Sequence, residues 1–401
     1  MVLCFADRGG SVSCTSGAAP EIERCLLDTS WSPGYGGAFF CEGADPVIRG
    51  NTITGCVNDT WGTAFYCKDA SPTIDANMIT GCDQYAGAST GTIDCDGGAP
   101  VITGNVITGN DGNNSYAAIY CHNHCSPTIS GNVIGGNTQS DGIMLYIAPG
   151  SVVTNNVVHG NSGDGMNVRS SYTTAEIVNN TVYGNGGNGL YCNIGASPTV
   201  TNTIIRENAT EIYPGNGSPV FTYCNVKGGW PGTGNIDADP LFSDATNHDF
   251  HLTWNSPCRG TGHNAAVTEL YDFEGDPRIA LGTVDMGADE FYYHLYHMGD
   301  VVPGTPIDIK VVGYPTAPIT LYLGSGLADP PYSTQHGDFY LNWPPLWQGS
   351  IGTVPGNGVL SLPVTVPSSW SSGEEHPLQA LVGPWNGPWT LLTNAEVLVV
   401  E

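Results

Sequence analysis

Short runs of aliphatic and polar residues alternate along the first half of the chain and recur as one phrase. The phrase reads DPVIRGNTITGC from Asp45, SPTIDANMITGC from Ser71, APVITGNVITGN from Ala99 and SPTISGNVIGGN from Ser126. Its central aliphatic residue returns every 21 to 28 residues, at Ile22, Ile48, Ile74, Ile102, Ile129, Val153, Ile177, Val200 and Phe221. A period of this length, with β-branched runs between Gly, Asn and Pro turns, predicts a solenoid with one coil per repeat.

A second short strand precedes each Pro turn, written AFFC, AFYC, TIDC, AIYC, GIML, GMNV and GLYC in successive repeats. Side chains alternate between the two faces of a strand, so the second and fourth residues of each run are predicted to point inward. The inward pairs are Phe39/Cys41, Phe65/Cys67, Ile93/Cys95, Ile119/Cys121, Ile143/Leu145, Met166/Val168 and Leu190/Cys192. The outward pairs are Phe40/Glu42, Tyr66/Lys68, Asp94/Asp96, Tyr120/His122, Met144/Tyr146, Asn167/Arg169 and Tyr191/Asn193.

The Asn of the phrase recurs at the same place in each repeat. Stacked Asn side chains at a turn bond to one another and to backbone groups that the bend would otherwise leave unpaired. We therefore assign a structural role to the column Asn51, Asn77, Asn105, Asn132, Asn156 and Asn180, with Cys25, Thr203 and Cys224 at its ends.

Cysteine accounts for 13 residues, an odd number that forbids complete internal pairing. Neighbouring coils lie about 4.8 Å apart, near the limit that a disulfide accepts, so we expect mostly stacked thiols and leave open whether a minority form bridges. The inward column holds Cys14, Cys41, Cys67, Cys95 and Cys121. The run CHNHC also offers zinc-type ligands, but alternation turns Cys121 and His122 to opposite faces, and we interpret the run as a core Cys followed by a turn.

The charge balance restricts the partners. Among 401 residues, Lys and Arg total 10 against 37 Asp and Glu, a formal net charge of −27. This field repels phosphate backbones and anionic membrane surfaces, so nucleic acid is not expected as a partner. No apolar run approaches the roughly 18 residues of a membrane-spanning helix. The first residues, MVLCFADRGG, lack a signal peptide, although the composition is typical of an exported β-protein, so a fragment of a longer chain is favoured over an abrupt start.

The outward positions of the second strand form an elongated face that is predicted to be open to solvent. Aromatic rings there can stack on sugars while polar neighbours bond hydroxyl groups, so the face is a candidate surface for a polysaccharide or a cell-surface glycan. The candidate carbohydrate-binding aromatics are Phe40, Tyr66, Tyr120 and Tyr191.

A candidate catalytic group lies on the same face, spread over about 15 Å at sheet spacing. β-Elimination of a uronic polysaccharide needs a base, for which His122 or Tyr146 is available, and a cation such as Arg169. Hydrolysis needs two carboxyl groups, for which Asp94 and Asp96 are the nearest pair. The alternative is that these are solvated outward residues with no catalytic role.

A third column consists of Asp141, Asp164 and Asn188, each followed by Gly before the strand. Oxygen ligands in this arrangement could bind calcium, the one cofactor that the sequence suggests. Asx residues before Gly are also ordinary turn formers, and both interpretations stay open.

With these residues in view, the repeats resemble right-handed parallel β-helix proteins of the pectate-lyase-like superfamily, especially secreted bacterial ones. Residues 235–291, with the phrases DPLF, DFHL, SPC and VDMGADEF, resemble the closing module of such proteins. The resemblance implies the fold, and it implies function only loosely because β-helices carry out many functions. The paired Asp and R-x-K signature of polygalacturonases is not found, and Lys68 and Arg169 lie four coils apart, so no catalytic assignment follows from the resemblance.

After residue 291 the repeat stops, and short apolar runs alternate with Pro and Gly turns. We therefore expect an all-β protein with β-helix coils over 1–234, a closing module over 235–291 and an antiparallel, immunoglobulin-like β-sandwich over 292–401. Five of the nine Trp residues lie in the sandwich and could form a platform for carbohydrate: Trp343, Trp347, Trp370, Trp385 and Trp389.

Three hypotheses for the function follow. The leading one is an extracellular or cell-surface, non-catalytic β-helix protein for attachment, assembly or polysaccharide contact. The second is a polysaccharide lyase, hydrolase or epimerase acting on an acidic glycan through the candidate catalytic group. The third is a self-assembling subunit of an extracellular fibre, which the apparently uncapped first coil suggests. In the C-terminal sandwich, the terminal strand AEVLVVE could instead serve attachment or assembly by pairing with an open sheet edge of a neighbouring molecule.

Overall fold

The chain divides into two all-β units. The computed structural model describes residues 9–84, 90–113, 116–279, 282–313, 315–334, 337–383 and 391–400. The first unit contains the residues up to Pro240 and Gly260–Glu290, and the second contains Leu241–Arg259 and the residues from Phe291 onward. Two short 3-10 helices, Ala245–Asn247 and Asn264–Ala266, interrupt the β-structure. Within the described residues, no helix has the length and apolar character needed to cross a membrane.

Three parallel sheets build the first unit, and each has nine strands in the described part of the chain. The first sheet contains Val12–Thr15, Phe39–Glu42, Phe65–Lys68, Gly91–Asp96, Ala117–His122, Asp141–Tyr146, Met166–Arg169, Asn188–Asn193 and Thr210–Tyr213. The second contains Glu21–Glu23, Val47–Arg49, Thr73–Asp75, Val101–Thr103, Thr128–Ser130, Ser151–Thr154, Ala175–Val178, Thr199–Thr201 and Val220–Thr222. The third contains Leu26–Asp28, Thr52–Thr54, Met78–Thr80, Val106–Thr108, Val133–Gly135, Val157–His159, Thr181–Tyr183, Ile204–Arg206 and Asn225–Val226.

The register of these sheets confirms the predicted solenoid. In the second sheet Ile22 pairs with Ile48, and Ile74 pairs with both Ile48 and Ile102. Each coil therefore places one copy of the phrase directly over the next. Three further short strands form a small parallel sheet beside the first coils: Trp31–Ser32, Val57–Asn58 and Asp83–Gln84.

The predicted Asn column forms a continuous hydrogen-bonded ladder. The Nδ2 of Asn105 donates to Oδ1 of Asn132 at 2.9 Å and to the carbonyl of Ile74 at 2.8 Å. Its own Oδ1 accepts the backbone N–H and the Nδ2 of Asn77, at 2.9 and 3.0 Å. The side chain thus satisfies buried groups in the coils on both sides of it.

The residue before each ladder Asn has a left-handed backbone, and this explains its identity. The φ angle is 61° at Gly50, 51° at Ala76, 61° at Gly104 and 56° at Asn155. Gly and Asn adopt this conformation at the lowest steric cost, which is why the phrase reads GN or NN in most repeats.

A second Asn ladder, which the sequence analysis missed, follows the third sheet. It contains Asn110, Asn137, Asn161, Asn185 and Asn208, and each Nδ2 donates to the next Oδ1 at 2.8 to 3.0 Å. In the sequence, four of these five residues follow a Gly at the end of the phrase, as Asn110 does in ITGN. In the earlier coils Cys56 and Cys82 stand at this position, and the change from Cys to Asn obscured the series.

The core of the first unit is the predicted inward column together with the aliphatic residues of the other two sheets. Cys14, Cys41, Cys67, Cys95 and Cys121 lie in register on successive strands. All twelve cysteines in the described residues are free thiols, and all but Cys25 are buried. The stacked-thiol interpretation therefore holds for these residues, and the minority of bridges that the sequence left open is not formed among them.

The CHNHC run does not assemble a zinc site. Cys121 and Cys125 are both buried in the core, whereas His122 projects from the opposite face of the strand and His124 is exposed. The interpretation of the run as a core Cys followed by a turn agrees with this arrangement.

Residues of the predicted closing module are divided between the two units. Gly260–Glu290 packs on the last coils, where Asn179 Nδ2 donates to the carbonyl of Asp285 at 3.0 Å. The earlier part, with strands Phe242–Asp244 and Asp249–Leu252, packs in the second unit instead. There the hydroxyl of Tyr296 donates to Asp249 Oδ2 at 2.8 Å.

The second unit is formed by antiparallel sheets in a sandwich-like arrangement, as predicted for the end of the chain. One sheet contains Leu295–Met298, Pro306–Val312 and Val359–Thr365. The other contains Trp347–Thr353, Pro318–Leu323, Glu375–Val382 and Leu391–Val399, and a hairpin is formed by Leu327–Thr334 and Gly337–Leu341. Trp385 and Trp389 of the suggested Trp platform lie outside the described residues.

The Asn ladder predicts a large stability effect at a single position. Replacing Asn105 with Ala removes the acceptor of the buried Asn77 backbone N–H and takes one donor from the Ile74 carbonyl and one from Asn132 Oδ1. A buried group left unpaired costs about 1–3 kcal/mol, and each further lost hydrogen bond costs about 0.5–1.5 kcal/mol. We expect Asn105→Ala to lower the free energy of unfolding by about 2–4 kcal/mol in chemical denaturation. The control Asn216→Ala removes an exposed side chain whose Oδ1 accepts one backbone N–H, and it should cost less than about 1 kcal/mol. Equal losses in the two variants would contradict the proposed role of the ladder.

Candidate functional site

The candidate residues project from the outward face of the first sheet in two adjacent columns. The register places Asp96, His122, Tyr146 and Arg169 side by side on four consecutive strands. The neighbouring column contains Phe40, Tyr66, Asp94, Tyr120, Met144, Asn167, Tyr191 and Tyr213. The sequence therefore predicted correctly which residues share this face.

The prediction that this face is open to solvent is wrong for much of it. Phe40, Tyr66, Asp94 and Tyr120 are at most 5% exposed, and three of the four predicted carbohydrate-binding aromatics are therefore buried. Of that set, Tyr191 is the half-buried member.

Aromatic residues in the connections before the strands cover the buried part of the face. Tyr35 stacks on Tyr66 at 5.1 Å between ring centroids, and Tyr116 meets Tyr120 edge to face at 4.9 Å. Trp61 lies 6.3 Å from Tyr66. Tyr35 and Trp61 lie at matching positions of adjacent coils, where they form a parallel bridge, but this aromatic position does not continue through the later repeats. Periodicity therefore did not predict that these connections fold back over the strand.

Asp94 and His122 form a buried hydrogen-bonded pair. His122 Nε2 lies 3.0 Å from Asp94 Oδ1, and the hydroxyl of Thr90 donates to Asp94 Oδ2 at 2.7 Å. Asp94 is 0% exposed, and 6% of the His122 side chain reaches solvent. The imidazole stacks on Tyr120 at 4.4 Å and on Trp61 at 6.1 Å.

Both groups of this pair have raised pKa values. Burial raises the pKa of Asp94, and its hydrogen bond with His122 opposes that effect. Burial acts to lower the pKa of His122, but the hydrogen bond to Asp94 and the negative charges of Asp94 and Asp96 outweigh it and raise this pKa above its ordinary value. The pair can therefore hold a proton internally, away from solvent.

Asp96 is placed differently from Asp94, although the two were predicted as a pair. Its side chain is 23% exposed and lies 3.9 Å from His122 Nδ1. It accepts hydrogen bonds from the hydroxyl of Tyr66 at 3.1 Å and from Nδ2 of Asn123 at 2.8 Å. One carboxyl group is thus sealed and the other reaches the surface, so the two do not flank a common open space.

Tyr146 and Arg169 lie where the face opens. Both are half-buried, and Tyr146 packs against the cluster of Ala117, Tyr120 and Met144. Arg169 donates from Nε to Asn167 Oδ1 at 2.9 Å, and its guanidinium carbon lies 5.1 Å from the centroid of the Tyr191 ring.

Tyr213 is a surface residue that the sequence analysis missed. It stacks on Tyr191 with 5.1 Å between centroids and 10° between the ring planes, and it is 46% exposed. The matching segment reads EIYP, with Glu and Pro where GLYC of the preceding repeat has Gly and Cys. Alignment of the repeats by motif therefore ended one strand before it.

The Asp141, Asp164 and Asn188 column is held together by hydrogen bonds between coils. Asp141 Oδ1 accepts the backbone N–H of Asp164 at 2.7 Å, and Asp164 Oδ1 accepts the backbone N–H of Asn188 at 2.7 Å. Asn167 Nδ2 bridges the two carboxylates, at 2.8 Å from Asp141 and 3.2 Å from Asp164. These oxygens already accept protein donors, which agrees with the turn interpretation, and calcium binding stays an untested prediction.

A strip of half-buried and exposed polar side chains remains available along the face, and it is interrupted at the buried His122. We define the surface strip as Glu42, Lys68, Asp96, Tyr146, Arg169, Asn193, Tyr191 and Tyr213. From Glu42 to Asn193 it crosses seven strands, or about 29 Å at sheet spacing. It carries both signs of charge, and Lys68 Nζ donates to Glu42 Oε1 at 3.2 Å.

Comparison with known proteins agrees with the fold. Residues 87–228 match the family model described as the right handed beta helix region. The first unit is a right-handed parallel β-helix. No curated protein matches the chain, so the comparisons do not indicate what this β-helix binds or does.

The burial of His122 predicts low chemical reactivity. Diethyl pyrocarbonate modifies accessible neutral imidazoles, so His122 should react at least tenfold more slowly than the exposed His124 two residues away, as measured by peptide mass spectrometry. Trp61→Ala should increase the rate at His122 and leave the rate at His124 unchanged. Equal rates at the two histidines in the unmodified protein would contradict the sealed pair.

The raised pKa of Asp141 predicts that the stability of the fold depends on pH. Burial and the negative charge of Asp164 raise its pKa from 3.8 to about 6. The folded state then holds this proton more tightly than the unfolded chain, so its contribution is complete below pH 3.8 and is lost as the pH rises to about 6. A shift of this size corresponds to about 2–3 kcal/mol.

The test is the free energy of unfolding measured from pH 4 to pH 6.5 in two variants. Asp141→Asn keeps an oxygen acceptor for the backbone N–H of Asp164, and it should flatten the decline of the free energy of unfolding with rising pH. The control Asp69→Asn changes an exposed carboxylate and should retain it. A parallel decline in Asp141→Asn and the unmodified protein would contradict the assignment.

Proposed function

We propose that the protein is a non-catalytic polysaccharide-binding protein that acts outside the cell or at its surface. The ligand is a neutral polysaccharide, and it lies along the surface strip of the first sheet.

The sealed pair of Asp94 and His122 carries this proposal. A general acid or base must come within hydrogen-bond reach of the reacting group, at about 2.6–3.2 Å or through one water. The side chain of His122 is 6% exposed and Asp94 is 0% exposed, and their polar atoms already bond to each other. The two strongest candidates for elimination or hydrolysis thus project from the outward face but are covered and paired with each other, which favours binding over catalysis.

The surface strip has the features that binding of a linear polymer requires. Its members on adjacent strands are in register at the strand spacing of about 4.8 Å, and one strand, that of the buried His122, separates Asp96 from Tyr146. The ring pair of Tyr191 and Tyr213 at one end offers an apolar surface with hydroxyl groups beside it. Aromatic groups of this kind contact the C–H faces of sugar rings, while amide and hydroxyl groups bond the sugar hydroxyls.

The charge balance favours a neutral polymer over an acidic one. The net charge of −27 repels polyanions at long range. The guanidinium of Arg169 is already engaged with Asn167 and Tyr191, and Lys68 is paired with Glu42. These cations therefore offer little to attract a chain of uronic acids.

The ring pair provides the test. Affinity electrophoresis through gels that contain arabinoxylan, galactomannan or mixed-linkage β-glucan should retard the unmodified protein in at least one of the three gels. Tyr213→Ala and Tyr191→Ala should weaken that binding about tenfold, as expected for loss of a stacking contact of about 1.4 kcal/mol. The control Tyr271→Ala removes an equally exposed ring elsewhere in the first unit and should bind as the unmodified protein does.

Two outcomes would overturn the proposal. One is release of unsaturated or reducing ends from alginate, polygalacturonate or the neutral polymers, which would indicate an enzyme. The other is binding that the Tyr191 and Tyr213 variants do not alter, which would place the contact away from the strip.

A further inference from the structure

We propose that the second unit contains a binding site for an uncharged, mainly apolar small ligand. The site is a cavity of about 560 Å³, within the range of about 300–1,000 Å³ that is typical of small-molecule sites. It is independent of the surface strip, since the residues that line it all belong to the second unit: Tyr322, Tyr332, Thr334, Phe339, Trp343, Gln348, Leu381 and Leu392.

The floor of the cavity is fixed by the packing of the sheet. Tyr322, Phe339 and Leu381 are at most 6% exposed and form one buried cluster with Leu341, against which Leu392 packs. Tyr322 meets Phe339 edge to face at 5.3 Å between centroids. The floor is therefore present before any ligand binds, so the ligand does not have to order it.

The rim carries large apolar side chains that remain in water. Trp343 is 63% exposed and Tyr332 is 51% exposed. Trp343 meets the buried Phe339 at 5.8 Å with 73° between the ring planes, so the aromatic surface runs continuously from the floor to the rim. Covering part of the indole would give about 25 cal/mol per Å² of buried apolar surface, which provides a driving force for a ligand.

The chemistry of the lining selects the class of ligand. Among the lining residues that the structure describes, none is Asp, Glu, Lys, Arg or His, so a charged group would find no counter-charge from them and would lose its hydration. The polar groups are the amide of Gln348 and the hydroxyls of Thr334 and the tyrosines. A disaccharide would bury many more hydroxyl groups than these can satisfy, and each unsatisfied one costs about 1–3 kcal/mol.

The ligand that fits has an aromatic or alicyclic ring system with one or two polar atoms. The ring system would lie against the aromatic surface that Phe339 and Trp343 form together, and its polar atoms would face Gln348 at the rim. This assignment differs from the carbohydrate platform suggested by the Trp content, because the cavity has too few hydrogen-bonding groups for a sugar.

The experiment titrates the full chain with N-phenyl-1-naphthylamine, a neutral two-ring-system probe whose fluorescence rises in apolar surroundings. We expect saturable binding to one site per chain. Trp343→Ala should weaken it at least fivefold, whereas the control Trp347→Ala, which removes a tryptophan that is 48% exposed but does not line the cavity, should stay within twofold.

Two further variants, which fill the mouth of the cavity, distinguish loss of the site from misfolding. Thr334→Trp and Gln348→Trp each place a large ring into the mouth from different strands, at exposed positions, and each should weaken probe binding at least tenfold while the thermal unfolding midpoint is retained. Unchanged affinity in either folded variant, or absence of saturable binding in the unmodified protein, would overturn the proposal.

Two other outcomes would replace the assigned ligand. Displacement of the probe by neutral oligosaccharides would replace the assigned ligand class with sugars, and binding that varies with protein concentration would indicate that a second copy fills the cavity. Failure of polysaccharide binding at the strip would leave these results unaffected.

Discussion

The hydrogen bonds that Asn side chains make from one coil to the next are the interaction on which the β-helix depends. Each coil turns sharply twice within a few residues, and each turn buries backbone groups that neither flanking strand can pair. Along both ladders an Asn side chain accepts from one neighbouring coil and donates to the other, as Asn105 does between Asn77 and Asn132. The ladders thereby fix the register of the sheets, and the register determines which side chains share the outward face.

Features that recur once per coil could be predicted from the sequence, and features that do not recur could not. The inward thiols and the first Asn ladder recur with the coil, so alignment alone predicted that Cys41 lies over Cys67 and Asn51 beside Asn77. The covering of the outward face comes from Tyr35, Trp61 and Tyr116, which lie in the connections before the strands. Tyr35 and Trp61 match in two adjacent coils, but an aromatic residue does not recur at that position in the later repeats, so the burial of Asp94 and His122 could be learned only from the three-dimensional arrangement.

That burial changes the functional interpretation of the same residues. In the sequence, Asp94, Asp96 and His122 form a group that could carry out acid–base chemistry on a polysaccharide. In the structure, Asp94 and His122 bond to each other beneath aromatic rings, and Asp96 alone of the three reaches the surface. The strip that remains open is suited to contact with a polymer. The second unit adds a cavity of different chemistry, so the two units are proposed to bind different ligands.

The most direct test of the account is hydrogen exchange at the Asn side-chain amides, followed by NMR of protein labelled with ¹⁵N at Asn. The ladder residues in the described part of the chain are Asn51, Asn77, Asn105, Asn132, Asn156, Asn180, Asn110, Asn137, Asn161, Asn185 and Asn208. The account predicts that the Nδ2 protons of these residues exchange orders of magnitude more slowly than those of exposed residues such as Asn216. Rapid exchange at the ladder residues, indistinguishable from that of Asn216, would contradict it.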